Sequence, residues 1–203
     1  MTATVPVTTL PSTLLDLVDR SRLRDVVAVV GFALFTALAA QITIPLGFTP
    51  VPITGQTFAV LLAGGVLGAS RGALSMGLYV ALGAIGLPFY AEATGGWTAA
   101  TGATAGYLGG FVVAAFVVGK MAEHGLDRTL STSLPAFVAG SLIIYGVGAG
   151  WLAYDLGLPL TAAAGAPSAI SLGVAPFLVG DVLKALLAGA MLPAAWILAE
   201  ERR

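Results

Sequence analysis

The sequence predicts an all-α membrane protein, a bundle of six transmembrane helices with both termini on the cytoplasmic side. Three observations carry this: scarce charge, apolar runs that recur along the whole chain, and basic residues confined to alternate turns. Of 203 residues, 58% are hydrophobic and 9% charged, against about a quarter charged in an average soluble domain. Such a chain cannot cover a globular surface with charge, so the lipid bilayer is its expected solvent. The first long apolar run begins only near Val26, behind a polar stretch from Ser12 to Asp25. A signal peptide has its apolar region at the start, so no cleaved leader is expected. The absence of cysteine removes disulfides, thiolate metal sites and cysteine nucleophiles. A net charge of −1 gives no electrostatic reason to expect nucleic acid.

A spanning helix needs roughly 17 to 25 mainly apolar residues. With charges and Pro/Gly clusters as punctuation, six segments qualify: 26–44, 56–69, 72–87, 104–122, 134–154 and 172–199. The second and third are short, which implies local bilayer thinning, burial inside the bundle, or displaced ends. The corresponding organisation is an N-terminal cytoplasmic segment (1–25), a membrane domain (26–199) and a cytoplasmic tail (200–203). Leu14, Leu15, Leu17, Val18 and Leu23 lie among Asp16, Asp19 and arginines, as in a short amphipathic helix or topology anchor at the membrane surface.

Orientation follows from the positive-inside rule. Arg20, Arg22 and Arg24 precede the first span, and Arg71, Lys120 with Arg128, and Arg202 with Arg203 occupy the turns and tail that return to the same side. The three opposite loops, 45–55, 88–103 and 155–171, hold no lysine or arginine; their charges are Glu92 and Asp155. Eight basic residues on one side and none on the other fit an even number of spans. Within the spans small residues recur, including Ala33 and Ala37 in the first and Gly106, Gly109 and Gly110 in the fourth. Such spacing lets helices approach closely, either within the bundle or against a separate membrane subunit.

The ionisable residues well inside a span are Asp181 and Lys184, in Pro176-Phe-Leu-Val-Gly-Asp-Val-Leu-Lys184. Each costs roughly 2.5–3.5 kcal/mol near a membrane helix centre, so the pair needs compensation by mutual attraction, polar neighbours or a ligand. A separation of three residues puts them on one helix face, acid before base. At about 1.5 Å per residue from Leu172, Asp181 falls roughly 14 Å below the outer end of a continuous helix, so a site there opens outward. The alternative is a buried ion pair that only fixes packing. Rigid outer segments, Pro50-Val-Pro-Ile-Thr-Gly-Gln56 and Leu87-Pro-Phe-Tyr90, flank the region, and Gln56 offers both donor and acceptor. Tyr90 and Trp97 fit an interfacial aromatic belt or a lid. The run Glu92-Ala-Thr-Gly-Gly-Trp97 is flexible enough to close over a pocket and to offer glycine N–H groups to a carboxylate. Tyr79 and Tyr107 lie in spans, where each hydroxyl needs a partner.

Enzyme signatures are poor. The single histidine, His124, lies in a cytoplasmic turn beside Glu123, far from Asp181, and no His/Asp/Glu cluster has metal-ligand spacing. No Gly-x-x-x-x-Gly-Lys-Ser/Thr loop is present, so ATP hydrolysis by this chain is not expected. Neither metal nor cofactor is expected.

Five stretches taken together resemble the BioY family, the biotin-specific substrate-binding S components of energy-coupling factor (ECF) transporters. They are Pro50-Val-Pro-Ile-Thr-Gly-Gln56, Leu61-Leu-Ala-Gly-Gly-Val-Leu-Gly68 with Arg71-Gly-Ala73, Tyr79-Val-Ala-Leu-Gly-Ala-Ile-Gly-Leu-Pro88, Gly106-Tyr-Leu-Gly-Gly110 and Pro176-Phe-Leu-Val-Gly-Asp-Val-Leu-Lys184, within residues 44–187. One departure is Gly102-Ala-Thr-Ala-Gly106, where the family usually has Gly-Pro-Thr-Gly-Gly. The resemblance implies a six-helix S component that captures biotin from outside and works with a transmembrane T component and a pair of cytoplasmic ATPases. It further implies that Ala33 and Ala37 form the docking face. Biotin's ureido ring carries one carbonyl oxygen and two N–H groups, so Asp181 as acceptor and Lys184 as donor suit it, with Gln56 nearby and Tyr79, Tyr90, Trp97 and Tyr107 as aromatic candidates. In the inverted pose Lys184 pairs with the carboxylate tail; both poses fit the sequence. An autonomous transporter and a small intramembrane transferase are the rival readings.

Overall fold

The computed structural model describes residues 12–163 and 165–201, the Glu200 side chain excepted. The first part of the N-terminal segment and the basic tail residues Arg202 and Arg203 lie outside the described residues. Eight α-helices are present among them: α1 (Arg22–Gln41), α2 (Gln56–Leu67), α3 (Ala69–Ala84), α4 (Trp97–Thr101), α5 (Ala105–Glu123), α6 (Leu130–Leu156), α7 (Ala169–Gly173) and α8 (Leu178–Glu200). Six of these, α1, α2, α3, α5, α6 and α8, correspond to the six expected segments, with ends displaced by a few residues. A hairpin of β1 (Thr43–Ile44) and β2 (Ile53–Thr54) follows α1, antiparallel, with Thr43 opposite Thr54 and Ile44 opposite Ile53.

Four helical segments, 22–41, 105–123, 130–156 and 169–199, are long and apolar enough to cross a membrane. At about 1.5 Å per residue, α2 measures only roughly 18 Å and does not cross alone. Its shortness is explained by burial: Val60, Leu61 and Ala63 are sealed, with α1, α3, α5 and α8 packed around them. The chain passes from α2 to α3 through Gly68 alone, whose φ of +82° suits glycine. Gly119 of α5 lies so close to the Gly68–Ala69 backbone that a Cβ would strike it. There Glu123 Oε1 accepts the Ala69 N–H at 2.9 Å and caps α3. Gly106 and Gly110 similarly admit the α6 backbone at Val147 and Ile144, whereas Gly109 faces open space.

Ala33 and Ala37 are 1% and 7% exposed and share a core cluster with Met76 and Tyr79. The expected docking face is therefore an internal seam. A Ser75 hydroxyl bond to the Val29 carbonyl, 2.8 Å, ties α1 to α3 at the same place. The outward face of α1 carries Val30, Leu34, Phe35 and Leu38. Small-residue spacing identified the tight helix face, but not the neighbour that fills it.

Arg20, Arg24 and Arg71 gather around Asp16 at one end of the bundle. Leu14–Leu17 is a single 3-10 turn rather than an amphipathic surface helix. Leu14 packs on the core cluster that holds Leu61 and Phe137. Asp16 meets Arg71 at 3.2 Å, Arg24 at 3.8 Å and Arg20 at 4.0 Å. Burial pushes its carboxyl up, but the Thr13 hydroxyl and Arg71 outweigh burial and hold it below the usual carboxylate range. At the same end Arg128 stacks on Trp196 of α8, 4.4 Å from the ring centroid. His124 Nδ1 lies 2.7 Å from the Lys120 carbonyl at the close of α5.

Overpacking of the α1–α3 seam is testable. Ala33→Leu or Ala37→Leu is expected to cost about 1–3 kcal/mol, read as a lower melting temperature of the purified protein in detergent. Unchanged melting would return these alanines to a surface role.

Candidate binding site

The site is set by a break in the last span. Ser168 caps α7 in a reciprocal pair of hydrogen bonds with Ser171. The helix then stops at Val174, whose φ of −128° and ψ of −59° are not helical. Pro176 follows in the 3-10 turn Ala175–Phe177, and α8 starts at Leu178. Proline has no N–H to donate and disfavours helical geometry in the residue before it, so it suits a helix start better than a helix interior. Asp181 therefore lies in the first turn of α8. It is not 14 Å into a continuous helix, as expected from sequence. A carboxylate in a first turn faces the positive end of the helix dipole. Discontinuous membrane helices that aim such ends at a solute are a recurring transporter device.

Lys184 Nζ donates to Asp181 Oδ1 at 2.7 Å. Thr57 binds both: its hydroxyl donates to Asp181 Oδ1 and accepts from Lys184 Nζ, each at 3.1 Å. The second carboxylate oxygen accepts the Tyr145 hydroxyl at 2.6 Å. Asp181 is 7% exposed and the Lys184 side chain 19%, so this ion pair sits in a shielded place with its polar needs met on α2 and α6.

The pair closes one end of a cleft of ≈ 610 Å³, open solvent included. Its apolar walls include Tyr90, Tyr107, Phe111, Ile144 and Phe177, while Thr54 at the end of β2 and Gln56 and Thr57 at the start of α2 add polar groups. This mixture of aromatic surface and a few converging polar groups is that of a small-molecule site. An outer vestibule of ≈ 930 Å³ adjoins it, sharing Pro52, Tyr90, Ala91 and Thr104.

Of the residues singled out from sequence, Asp181, Lys184, Gln56, Tyr90 and Tyr107 line the cleft. Tyr107 is held by its hydroxyl bond to the Gly173 carbonyl at 2.7 Å. Its ring is seated against Gly148, where a Cβ would collide with it. Tyr79 stands behind the wall, fully buried, accepting from Gln56 Nε2 at 2.5 Å; Gln56 Oε1 accepts from Thr54 at 2.8 Å. Trp97 is 74% exposed on α4 and lies outside the cleft, as an interfacial aromatic does. The glycine-rich run is not an open cradle, because the Gly96 N–H donates to the Gly83 carbonyl at 2.7 Å. Burial pushes the Tyr90 phenol up, so it keeps its proton and donates to the Val80 carbonyl at 2.7 Å. Thr57, Tyr145, Phe111 and Phe177 were missed. Tyr145 was findable, since an intramembrane hydroxyl needs a partner just as Tyr79 and Tyr107 do.

Comparison with known proteins agrees with this fold. The BioY family model matches residues 9–201. A Rhizobium etli protein named biotin transporter BioY is 39% identical over 173 residues, covering 81% of this chain and 89% of its own length. The Rhodobacter capsulatus biotin transporter BioY is 42% identical over 161 residues, 77% of this chain and 84% of that protein. Among solved structures, a 2.1 Å crystal structure of the S-component for biotin from an ECF-type ABC transporter superposes with a TM-score of 0.74 at 27% identity. That match covers 87% of this chain and 94% of the other. The fold, the membrane helices and these similarities have one conclusion: the chain is a multi-pass integral membrane protein and belongs to the BioY family.

Proposed function

We propose that this chain captures biotin at the outer face of the membrane, as the substrate-binding subunit of an ATP-driven uptake transporter. The observation that carries the proposal is the Asp181–Lys184 pair, 2.7 Å apart and shielded at the end of an aromatic-walled cleft. The lysine charge is already matched by Asp181, which favours a neutral polar ring over an anion at this point. Biotin's ureido group is such a ring. Asp181 accepts one of its N–H groups, Lys184 donates to its carbonyl oxygen, and Thr57 and Tyr145 hold the pair in place. Tyr90, Tyr107, Phe111 and Phe177 supply apolar surface for the sulfur-containing ring, and Gln56 offers a further amide beside them. The carboxylate tail then extends toward the vestibule. The T component and cytoplasmic ATPases are separate subunits in this proposal.

Binding to purified protein tests the site. Asp181→Asn and Lys184→Met are each expected to weaken biotin binding at least about thirtyfold, because each leaves a partly buried charge without its partner. Unchanged affinity in both would contradict the assignment. Tyr145→Phe removes one hydrogen bond to a charged group and is expected to weaken binding by about tenfold at neutral pH. Its effect should shrink when Asp181 is already asparagine; equal losses in both backgrounds would show that Tyr145 does not act through Asp181.

A further inference from the structure

Gln41 ends α1 beside the Tyr90–Thr94 loop and makes three hydrogen bonds with its side-chain amide. Nε2 donates back to the Ala37 carbonyl at 2.9 Å and across to the Tyr90 carbonyl at 3.2 Å, and Oε1 accepts the Ala93 N–H at 3.0 Å. Between the two backbone groups it holds lies Glu92, with φ 59° and ψ 32°, and the held Ala93 itself has φ 54°. Two consecutive residues with side chains in left-handed geometry are uncommon, because Cβ crowds the backbone there. The local sequence does not favour this shape, so surrounding contacts must hold it. Bonds from the Tyr90 N–H to the Thr94 carbonyl, 3.0 Å, and from the Thr94 N–H to the Ala91 carbonyl, 3.2 Å, close the loop on itself. Among the described residues, its hydrogen bonds to another element's side chain are those to Gln41.

The strained loop carries part of the site. Tyr90 and Ala91 line both the inner cleft and the vestibule, and Glu92 and Thr94 line the vestibule alone. The Tyr90 ring packs edge-on against Tyr79, centroids 5.7 Å apart, and sits over Gly83 so closely that a Cβ there would strike it. We infer that Gln41 is a positioning residue, a latch by which α1 holds the Tyr90–Thr94 loop in its strained form and so keeps the Tyr90 wall closed over the bound solute. Releasing Gln41 lets Glu92 and Ala93 relax toward ordinary backbone geometry and loosens the wall. Because the same amide is bonded to Ala37 on α1, a displacement of this helix is transmitted directly to the mouth of the cleft. Gln41 itself touches no part of the cleft lining except through this loop.

The inference takes its ligand from the biotin-capture proposal, so its test has one arm with biotin and one without. Purified wild type, Gln41→Ala, and Gln41→Ala combined with Ala93→Gly are compared. Biotin dissociation rate is measured in one arm, and amide hydrogen exchange of the 90–94 segment in the unliganded protein in the other. Gln41→Ala is expected to release biotin about tenfold faster and to speed exchange by a similar factor. Ala93→Gly is expected to restore both toward wild type, since glycine adopts a positive φ without crowding. A merely structural loss at the end of α1 would not be rescued by glycine in a different segment. Rates within about twofold of wild type for Gln41→Ala, or failure of the glycine rescue, would overturn the latch. Wild type that holds no biotin would overturn the capture proposal, and the exchange arm would still decide the latch.

Discussion

An aspartate and a lysine inside an apolar helix of a membrane protein are the constraint around which this structure is arranged. Near a helix centre each costs roughly 2.5–3.5 kcal/mol to place, and the fold offsets that cost in three ways. The charges lie 2.7 Å apart, Thr57 and Tyr145 engage part of their remaining hydrogen-bonding capacity, and the helix is restarted so that Asp181 falls in the first turn of α8. Each of these makes a demand elsewhere. Thr57 reaches the pair because α2 is a short, buried helix rather than a lipid-facing span. Tyr145 belongs to α6, which packs tightly on α5 where Gly106 and Gly110 bare the backbone.

On the proposed function, the same network suits exchange with a solute. In the absence of ligand, Asp181 and Lys184 satisfy each other, so the cleft does not leave an isolated charge in an apolar setting. A ligand that presents both donors and an acceptor can enter this network without leaving either ion unpaired. A purely apolar solute offers the pair nothing, and an anion competes with Asp181 for the lysine. On the proposed function, selectivity resides in the pairing itself, with the aromatic walls supplying area and shape. The two ends of the molecule are differently built: polar contacts and aromatic rings meet at the cleft, while the other end is bound together by Asp16, Arg24 and Arg71 and by the Glu123 cap on α3.

Much of this was legible in the residues. Apolar runs punctuated by charges and Pro/Gly clusters located the spans, alternating basic turns oriented them, and the three-residue spacing of Asp181 and Lys184 identified the pair and its shared helix face. Gln56, Tyr90 and Tyr107 were legible as polar or amphipathic residues beside rigid loops. The break at Val174 was not, because Gly173-Val-Ala-Pro176 is apolar and continues the hydropathy of the span; a proline there fits a helix start as well as a kink. Ala33 and Ala37 show the complementary limit: their spacing requires a close neighbour, and only the packing reveals that the neighbour is α3. For Trp97 a belt and a lid both fitted the sequence, because composition and depth do not distinguish an outward aromatic from one that lines a pocket. Thr57 carries no distinctive sequence signal, and its role emerges only when α2 and α8 are brought together.

The most direct test of the central claim is an experimental structure of this chain with biotin bound. The Asp181–Lys184 pair as the recognition centre predicts the ureido ring within hydrogen-bond distance of both residues, between the rings of Tyr90, Tyr107, Phe111 and Phe177. Biotin bound only in the outer vestibule, or with its ureido ring remote from both Asp181 and Lys184, would contradict it.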